Sequence, residues 1–291
     1  MRVAKSVAKS VAKSVAKSVV VTRPEPDAQG WVHGLQAAGF EPLVLPLIDI
    51  RPVPDASALR HAWHNLAGYA AVMFVSGNAV VQFFASKPPL ALVFIENIAI
   101  KTRAWATGPG TSRALLRAGV DAGCIDAPAP DADQFDTEAL WSVVRHHVQP
   151  NTRVLIIRGS NSVGRGEPGR LGARDGETSP GEGRDWFARQ VRQAGCSVDF
   201  LVAYQRCAPV FSVQQHSAAC AAAADGSVWL FTSSEAIANL AAWLPGQNWQ
   251  GARAVVTHAR IAASARQLGF GVVCESRPRL SDVVASIESM G

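Results

Sequence analysis

A chain of 291 residues is long enough for two domains of roughly 150 residues each. With 48% hydrophobic and 18% charged residues it can build a sizeable core, which excludes a disordered protein, and it lacks the run of ~18 apolar residues that a membrane span needs. Its net charge of +5 is local: Arg2, Lys5, Lys9, Lys13 and Lys17 supply it from a segment without acids, so the rest is neutral and lacks the footprint of a nucleic-acid binder.

Residues 3–18 repeat Val-Ala-Lys-Ser four times. As a strand the repeat puts Val and Lys on one face. As a helix it drifts about 40° per repeat, so neither form yields an apolar face. A lysine at every fourth position excludes the apolar stretch of a signal peptide. A basic tail for a membrane surface is one reading. A tandem-repeat expansion forming a mobile tail, or an artefact of start-site choice, is preferred, and residues 1–18 are set aside as a low-complexity tail.

The globular body is expected from Val19. Val19–Thr22 is β-branched and continuous, as a buried parallel strand is. Helical stretches then share a stop signal: Gly39, Gly119, Gly195 and Gly269 each follow an amphipathic run and precede an apolar one. Glycine there takes a left-handed conformation at little cost. The recurring strand–helix–glycine–strand pattern predicts an α/β fold with parallel sheets. Pro42, Pro46, Pro52 and Pro54 punctuate Glu41–Asp55, and Ala203–Val210 holds the matching place later; both are expected to be extended. Asp126–Asp133 is expected as a loop. Phe135–Leu140 should open a helix capped by Asp136 or Thr137, with Glu138 in its first turn. Ser160–Gly183, rich in Gly, Pro and charge, is expected as a long mobile loop, a passive insertion in preference to a substrate lid.

Three stretches of the first half recur in the second. Val19–Arg23 (VVVTR) pairs with Val154–Arg158 (VLIIR), each followed by a helix-like run ending in Ala-Gly and by an apolar run. Phe74–Val80 (FVSGNAV) pairs with Phe231–Ile237 (FTSSEAI), and Ala106–Gly119 with Val256–Gly269. Each is an apolar strand meeting small polar residues where a helix begins. Such a junction presents free N–H groups and a positive dipole end, which suit anions. A ligand with several negative charges is therefore expected.

The five cysteines, Cys124, Cys196, Cys207, Cys220 and Cys274, are scattered and never in CxxC spacing. This predicts free thiols in a reducing cytoplasm, without zinc or a disulfide framework. Gly108-Pro-Gly110 lacks the third glycine of a dinucleotide fingerprint, and GxxxxGK[ST], HExxH and GxSxG do not occur. His146-His147 is read as part of a surface helix, since adjacent residues point to different faces.

What remains are hydroxyls and arginines at strand ends. Thr22, Ser76, Thr111, Ser112, Ser233 and Ser234 all fall at strand-to-helix transitions. Singly, each reads as a helix cap. Together with Arg23, Arg158 and Arg260 they read as the lining of an anion-binding cleft, where arginine grips carboxylates with two N–H groups. Tyr204 is one of only two tyrosines. A phenol can donate a proton while neutral at pH 7, although spacing alone favours a core or hinge role. A two-lobed binding protein for a multi-anionic ligand is compatible with these features. A nucleotide-sugar or sugar-phosphate enzyme fits less well without a phosphate loop or an acid–base pair.

These residues resemble the uroporphyrinogen-III synthase family over nearly all of Val19–Gly291. The marks are VTRP at Val21–Pro24, FVSGNAV at Phe74–Val80, TGPGTSRAL at Thr107–Leu115, DTEAL at Asp136–Leu140 and LIIRG at Leu155–Gly159. GRDW at Gly183–Trp186, VAYQR at Val202–Arg206, FTSSEA at Phe231–Ala236 and HARIAASA at His258–Ala265 follow in order. The resemblance implies two flavodoxin-like α/β domains joined by a two-stranded β linker, with the chain crossing twice. One domain would combine 19–50 with 208–291. The other would span 52–204 and carry an inserted loop at 160–183.

The implied reaction cyclises hydroxymethylbilane to uroporphyrinogen III with loss of water and inversion of ring D through a spiro intermediate. The pyrroles supply the electrons, so no cofactor or metal is expected. By position, Tyr204 matches the tyrosine that assists loss of the hydroxyl. Thr111 matches a substrate-contacting threonine, Ser76 and Ser233 match cleft hydroxyls, and Asn78 joins the substrate-binding set. His258-Ala-Arg260-Ile261 departs from the usual glycine-threonine turn, and the insertion separates Arg158 from Arg184. The resemblance also implies a monomer that takes its substrate by transient hand-over from hydroxymethylbilane synthase, with no nucleic acid or membrane partner.

Overall fold

The computed structural model describes residues 17–88, 102–132, 134–161 and 182–290. These form two compact units, one built from the residues up to Leu47 and from Val210 onward, the other from Ile48–Pro209. The first unit opens with β1 (Ser18–Val21), α1 (Glu25–Ala37) and β2 (Glu41–Val44). The second begins with β3 (Asp49–Pro52), α2 (Ser57–His64), β4 (Ala71–Phe74), α3 (Gly77–Ala85), β5 (Arg103–Ala106) and α4 (Pro109–Arg117). It continues through β6 (Ile125–Asp126), α5 (Thr137–Val144), β7 (Arg153–Asn161), α6 (Glu182–Gln193) and β8 (Ser197–Cys207). The chain then returns to the first unit with α7 (Val213–Ala222), β9 (Val228–Phe231) and α8 (Ser234–Trp243). It ends with β10 (Arg253–Val256), α9 (Ala259–Leu268), β11 (Val272–Glu275) and α10 (Leu280–Ser289).

The first sheet is parallel throughout, in the order β2-β1-β9-β10-β11. In the second, β8-β7-β4-β5-β6 are parallel and β3 lies antiparallel outside β8, pairing Asp49–Pro52 with Tyr204–Cys207. The two parallel orders are one arrangement with the chain segments exchanged. β1–β2 takes the place of β7–β8, and β9–β11 that of β4–β6. All three internal repeats therefore fall on corresponding junctions. The glycine stops also match: φ is 86° at Gly39, 87° at Gly119, 86° at Gly195 and 105° at Gly269.

Burial follows from the apolar runs. Val19, Val20 and Val21 are fully buried in β1, each contributing roughly 1.5–3 kcal/mol of transfer free energy. Both faces of the second sheet are covered, as parallel sheets require. Val72, Phe74, Leu155, Ile157 and Leu201 pack on one face with α2 and α3, whereas Met73, Trp105, Ile156, Phe187 and Phe200 pack on the other with α5 and α6. In the first unit Trp229, Phe231, Trp249 and Phe270 form a chain of ring contacts.

At the amino-terminal edge of the second sheet, the Tyr69 phenol donates to Asp199 at 2.9 Å, and Arg153 bonds both groups. Burial, then the hydrogen bond to Asp199, pushes the Tyr69 phenol up from 10.0 to about 12. A raised folded-state value means that the neutral phenol stabilises the fold. That contribution is complete below pH 10 and is lost as pH rises through about 12. Chemical denaturation at stepped pH should show stability falling in this window, and falling less in Tyr69→Phe. Equal losses in both proteins would contradict the assignment.

The structure corrects several expectations. The tail does not extend to residue 18: Ser18 opens β1, and the Lys17 ammonium donates to the Ile287 carbonyl at 2.9 Å, in the last turn of α10. Residues 1–16 lie outside the described residues. Of the segment expected as a loop at 160–183, residues 160 and 161 instead continue β7 and residues 182 and 183 open α6; residues 162–181 lie outside the described residues. The 41–55 segment is extended as expected over Glu41–Val44 and Asp49–Pro52, but the two strands join different sheets, and Pro42 is tolerated because β2 is an edge strand. His146 and His147 lie beyond α5, and His147 Nδ1 sits 3.4 Å from Asp126. Asp136, not Thr137, caps α5, accepting from the Ala139 N–H at 2.8 Å.

Candidate functional site

Open α/β sheets bind ligands outside the carboxyl ends of their strands, where the strand order reverses. In the second unit that point lies between β4 and β7, because β5 and β6 follow on one side of β4 and β7 returns on the other. Ser76 stands just past β4 and caps α3, accepting from the Ala79 N–H at 3.2 Å. Its hydroxyl also shares a 3.0 Å hydrogen bond with the phenol of Tyr204 from β8. Tyr204 is only 4% exposed, so this contact is fixed by packing.

Asn78 and Thr111 lie in the first turns of α3 and α4 and are buried. Ser112 follows Thr111, and its hydroxyl donates to the Gly108 carbonyl at 3.3 Å. The cap of α4 is Gly108, so neither hydroxyl serves as the expected cap. Arg158 ends the regular part of β7 on the sheet's other face. Its guanidinium lies 4.9 Å above the Phe200 ring. Burial pushes its pKa down from the usual arginine range, and Asp185 opposes that shift. Ser76 and Tyr204 are thus brought together, whereas Arg158 faces away from them.

The corresponding reversal in the first unit lies between β1 and β9. Thr22 stands there but is 1% exposed, and its hydroxyl donates to the Leu230 carbonyl at 2.6 Å. It ties the two strands together and does not cap α1, whose cap is Pro24. Arg23 lies 5.2 Å over the Trp31 ring. Ser233 caps α8 through the Glu235 N–H at 3.2 Å. Ser234, the first helical residue, has a buried hydroxyl oxygen without a hydrogen-bond partner. His258 caps α9, its Nδ1 accepting from the Arg260 backbone N–H at 3.1 Å, and Arg260 is exposed.

The family model for uroporphyrinogen-III synthase HemD matches residues 29–165 and 179–285. The chain belongs to the uroporphyrinogen-III synthase family. A uroporphyrinogen-III synthase of Chlorobaculum parvum is 34% identical over 147 residues, covering 50% of this chain and 54% of that one. A porphyrin biosynthesis protein HemD of Ruminiclostridium josui is 28% identical over 137 residues, covering 47% and 26%. The matched stretches thus span about half and about a quarter of these relatives.

Two solved structures share the fold. Uroporphyrinogen-III synthetase of Helicobacter pylori aligns with a TM-score of 0.55 at 14% identity, covering 95% of this chain and all of the other. A mutant uroporphyrinogen III synthase of Thermus thermophilus aligns with a TM-score of 0.50 at 16% identity, covering 94% and 97%.

Proposed function

We propose that this chain is a uroporphyrinogen-III synthase, cyclising hydroxymethylbilane to uroporphyrinogen III with loss of water and inversion of ring D. The observation that carries the reading is the family match across residues 29–165 and 179–285, which takes in both units. The chemistry needs little from the protein beyond placement. The pyrrole nitrogen of ring A pushes out the hydroxymethyl oxygen, which leaves as water after gaining a proton. The substituted carbon of ring D attacks the resulting azafulvene, and the spiro intermediate opens and recloses with ring D reversed. Unassisted closure gives the uninverted isomer, so holding a folded conformer is the main task.

Tyr204 supplies the proton, with Ser76 fixing the phenol at 3.0 Å. Within each unit by itself, the first turns of its helices, α3 and α4 in the second and α8 and α9 in the first, offer N–H groups and positive dipole ends suited to carboxylates. Ser76, Asn78, Thr111 and Ser112 are the candidate contacts of the second unit, and Ser233, Ser234 and Arg260 those of the first. Arg23 adds positive charge, whereas Arg158 lies over Phe200 on the other face of its sheet and is not placed with Ser76 and Tyr204. Thr22 acts by holding β1 to β9. No cofactor takes part. No helix of the described residues is long and apolar enough to cross a membrane. On this reading the protein is a cytoplasmic monomer that receives its substrate from hydroxymethylbilane synthase.

Turnover tests the reading. Protein at sub-stoichiometric concentration should consume many equivalents of freshly made hydroxymethylbilane, faster than spontaneous closure. A protein that only binds the substrate would leave the bulk rate unchanged.

A further inference from the structure

We propose that Gly159 and the β-bulge beside it aim Tyr204, making Gly159 a positioning residue; the inference rests on the synthase reading and on the part given there to Tyr204. β7 and β8 pair in even parallel register from Arg153 with Ser197 to Arg158 with Val202. The register then shifts, so that Gly159 stands opposite Tyr204 and Ala203 is the extra residue. Side chains alternate along a strand, and one inserted residue sends those beyond it to the other face. Phe200 belongs to one core face, and Leu201 and Ala203 to the other. Regular alternation would put Tyr204 on the Phe200 face, where Arg158 lies. The bulge returns it to the face of Phe74, Ile157 and α3, on which Ser76 waits.

Gly159 makes room for this turn. A Cβ built there would stand 2.5 Å from Tyr204 Cε2 and Cζ and 3.0 Å from Cδ2, and no other atom lies closer. Carbon atoms in contact normally keep about 3.5–4.0 Å apart. Any side chain at 159 must therefore push the ring off its seat by roughly 1 Å. Gly159 is not among the left-handed glycines, so the backbone itself does not demand glycine here. Close approach of the ring is the remaining reason. The Cβ would meet the outer part of the ring, Cε2 and Cζ, so the displacement falls on the phenol end and on its aim at Ser76, with some cost to the packing that holds the ring.

Gly159→Ala is expected to lower kcat about tenfold or more, the range of a lost general acid, with KM little changed. In a Tyr204→Phe background the same substitution should cost no further activity, because no hydroxyl is left to misplace. A purely structural role would instead lower activity again. The protein has two tyrosines, Tyr69 and Tyr204, so fluorotyrosine labelling should give two fluorine resonances. Gly159→Ala should move the Tyr204 resonance and leave that of Tyr69. Wild-type kcat in Gly159→Ala, or an unmoved Tyr204 resonance, would overturn the proposal. Full activity in Tyr204→Phe would sink the role given to the tyrosine, while the fluorine spectrum still reports whether residue 159 aims the ring. If Gly159→Ala does not fold, Gly159→Ala with Tyr204→Val should fold, since the ring is then gone. Failure of that pair to fold would also overturn the proposal.

Discussion

Tyr204→Phe is expected to cut turnover about tenfold or more while the protein stays folded. The ring remains, so its packing against Gly159 and the core is kept. The substitution removes one hydrogen bond, to Ser76, and Ser76 still caps α3 through the Ala79 N–H. A bond of that kind contributes about 1 kcal/mol net, a loss a folded protein of this size tolerates. On the proposed mechanism the chemical loss is larger, because the leaving hydroxyl would then depart without its proton donor. On the same reading substrate affinity should change little, since the proposed carboxylate contacts lie elsewhere. Steady-state kinetics beside a thermal melt separate the two effects. Unchanged kcat in folded Tyr204→Phe protein would remove the phenol from the mechanism.

The largest stability loss is expected from Asp126→Ala, at about 3 kcal/mol. Asp126 is 7% exposed at the end of β6 and gathers three donors. Arg103 grips both carboxylate oxygens, with Nη2 at 2.6 Å from Oδ1 and Nε on Oδ2. The indole N–H of fully buried Trp105 donates to Oδ2 at 3.1 Å. Removing the carboxylate strands a guanidinium and leaves a buried indole N–H unmet, which costs more than the lost attraction. Arg103 keeps about a third of its side chain in water, which holds the cost below that of a fully buried pair. A melting shift of roughly 6–10 °C is expected for a unit of this size. Asp126→Asn, which retains an acceptor for Trp105, should lose less. A shift of ~2 °C or below in Asp126→Ala would show that the pair contributes little.

Features carried by local pattern were readable from the chain. The run at Val19–Val21 announced a central parallel strand, and Gly39, Gly119, Gly195 and Gly269 marked helix ends by their left-handed geometry. The exchange of segments between the two sheets was foreshadowed by the three repeated junctions. The short helix α2 was not anticipated, although Ala58, Leu59, Ala62 and Trp63 stand at helical spacing and form its buried face. Side-chain direction at the site was hidden for a different reason. The face of Tyr204 depends on a register shift between β7 and β8, strands separated in sequence by α6 and the insertion. Arg158 and Thr22 sit at strand ends, as expected of ligand contacts, yet one turns toward Phe200 and the other bonds Leu230. Gly159 offered one signal: a glycine within a strand pattern marks a bulge or a close approach.

The most direct test of the synthase reading is the identity of the ring-closed product. Hydroxymethylbilane made in place by its upstream enzyme would be exposed to this protein, the products oxidised, and the porphyrin isomers separated by chromatography. Uroporphyrin III as the main product is expected, with the III fraction falling in Tyr204→Phe. Uroporphyrin I alone, from protein shown to be folded, would contradict the synthase reading and leave a protein that binds multi-anionic ligands without turning them over.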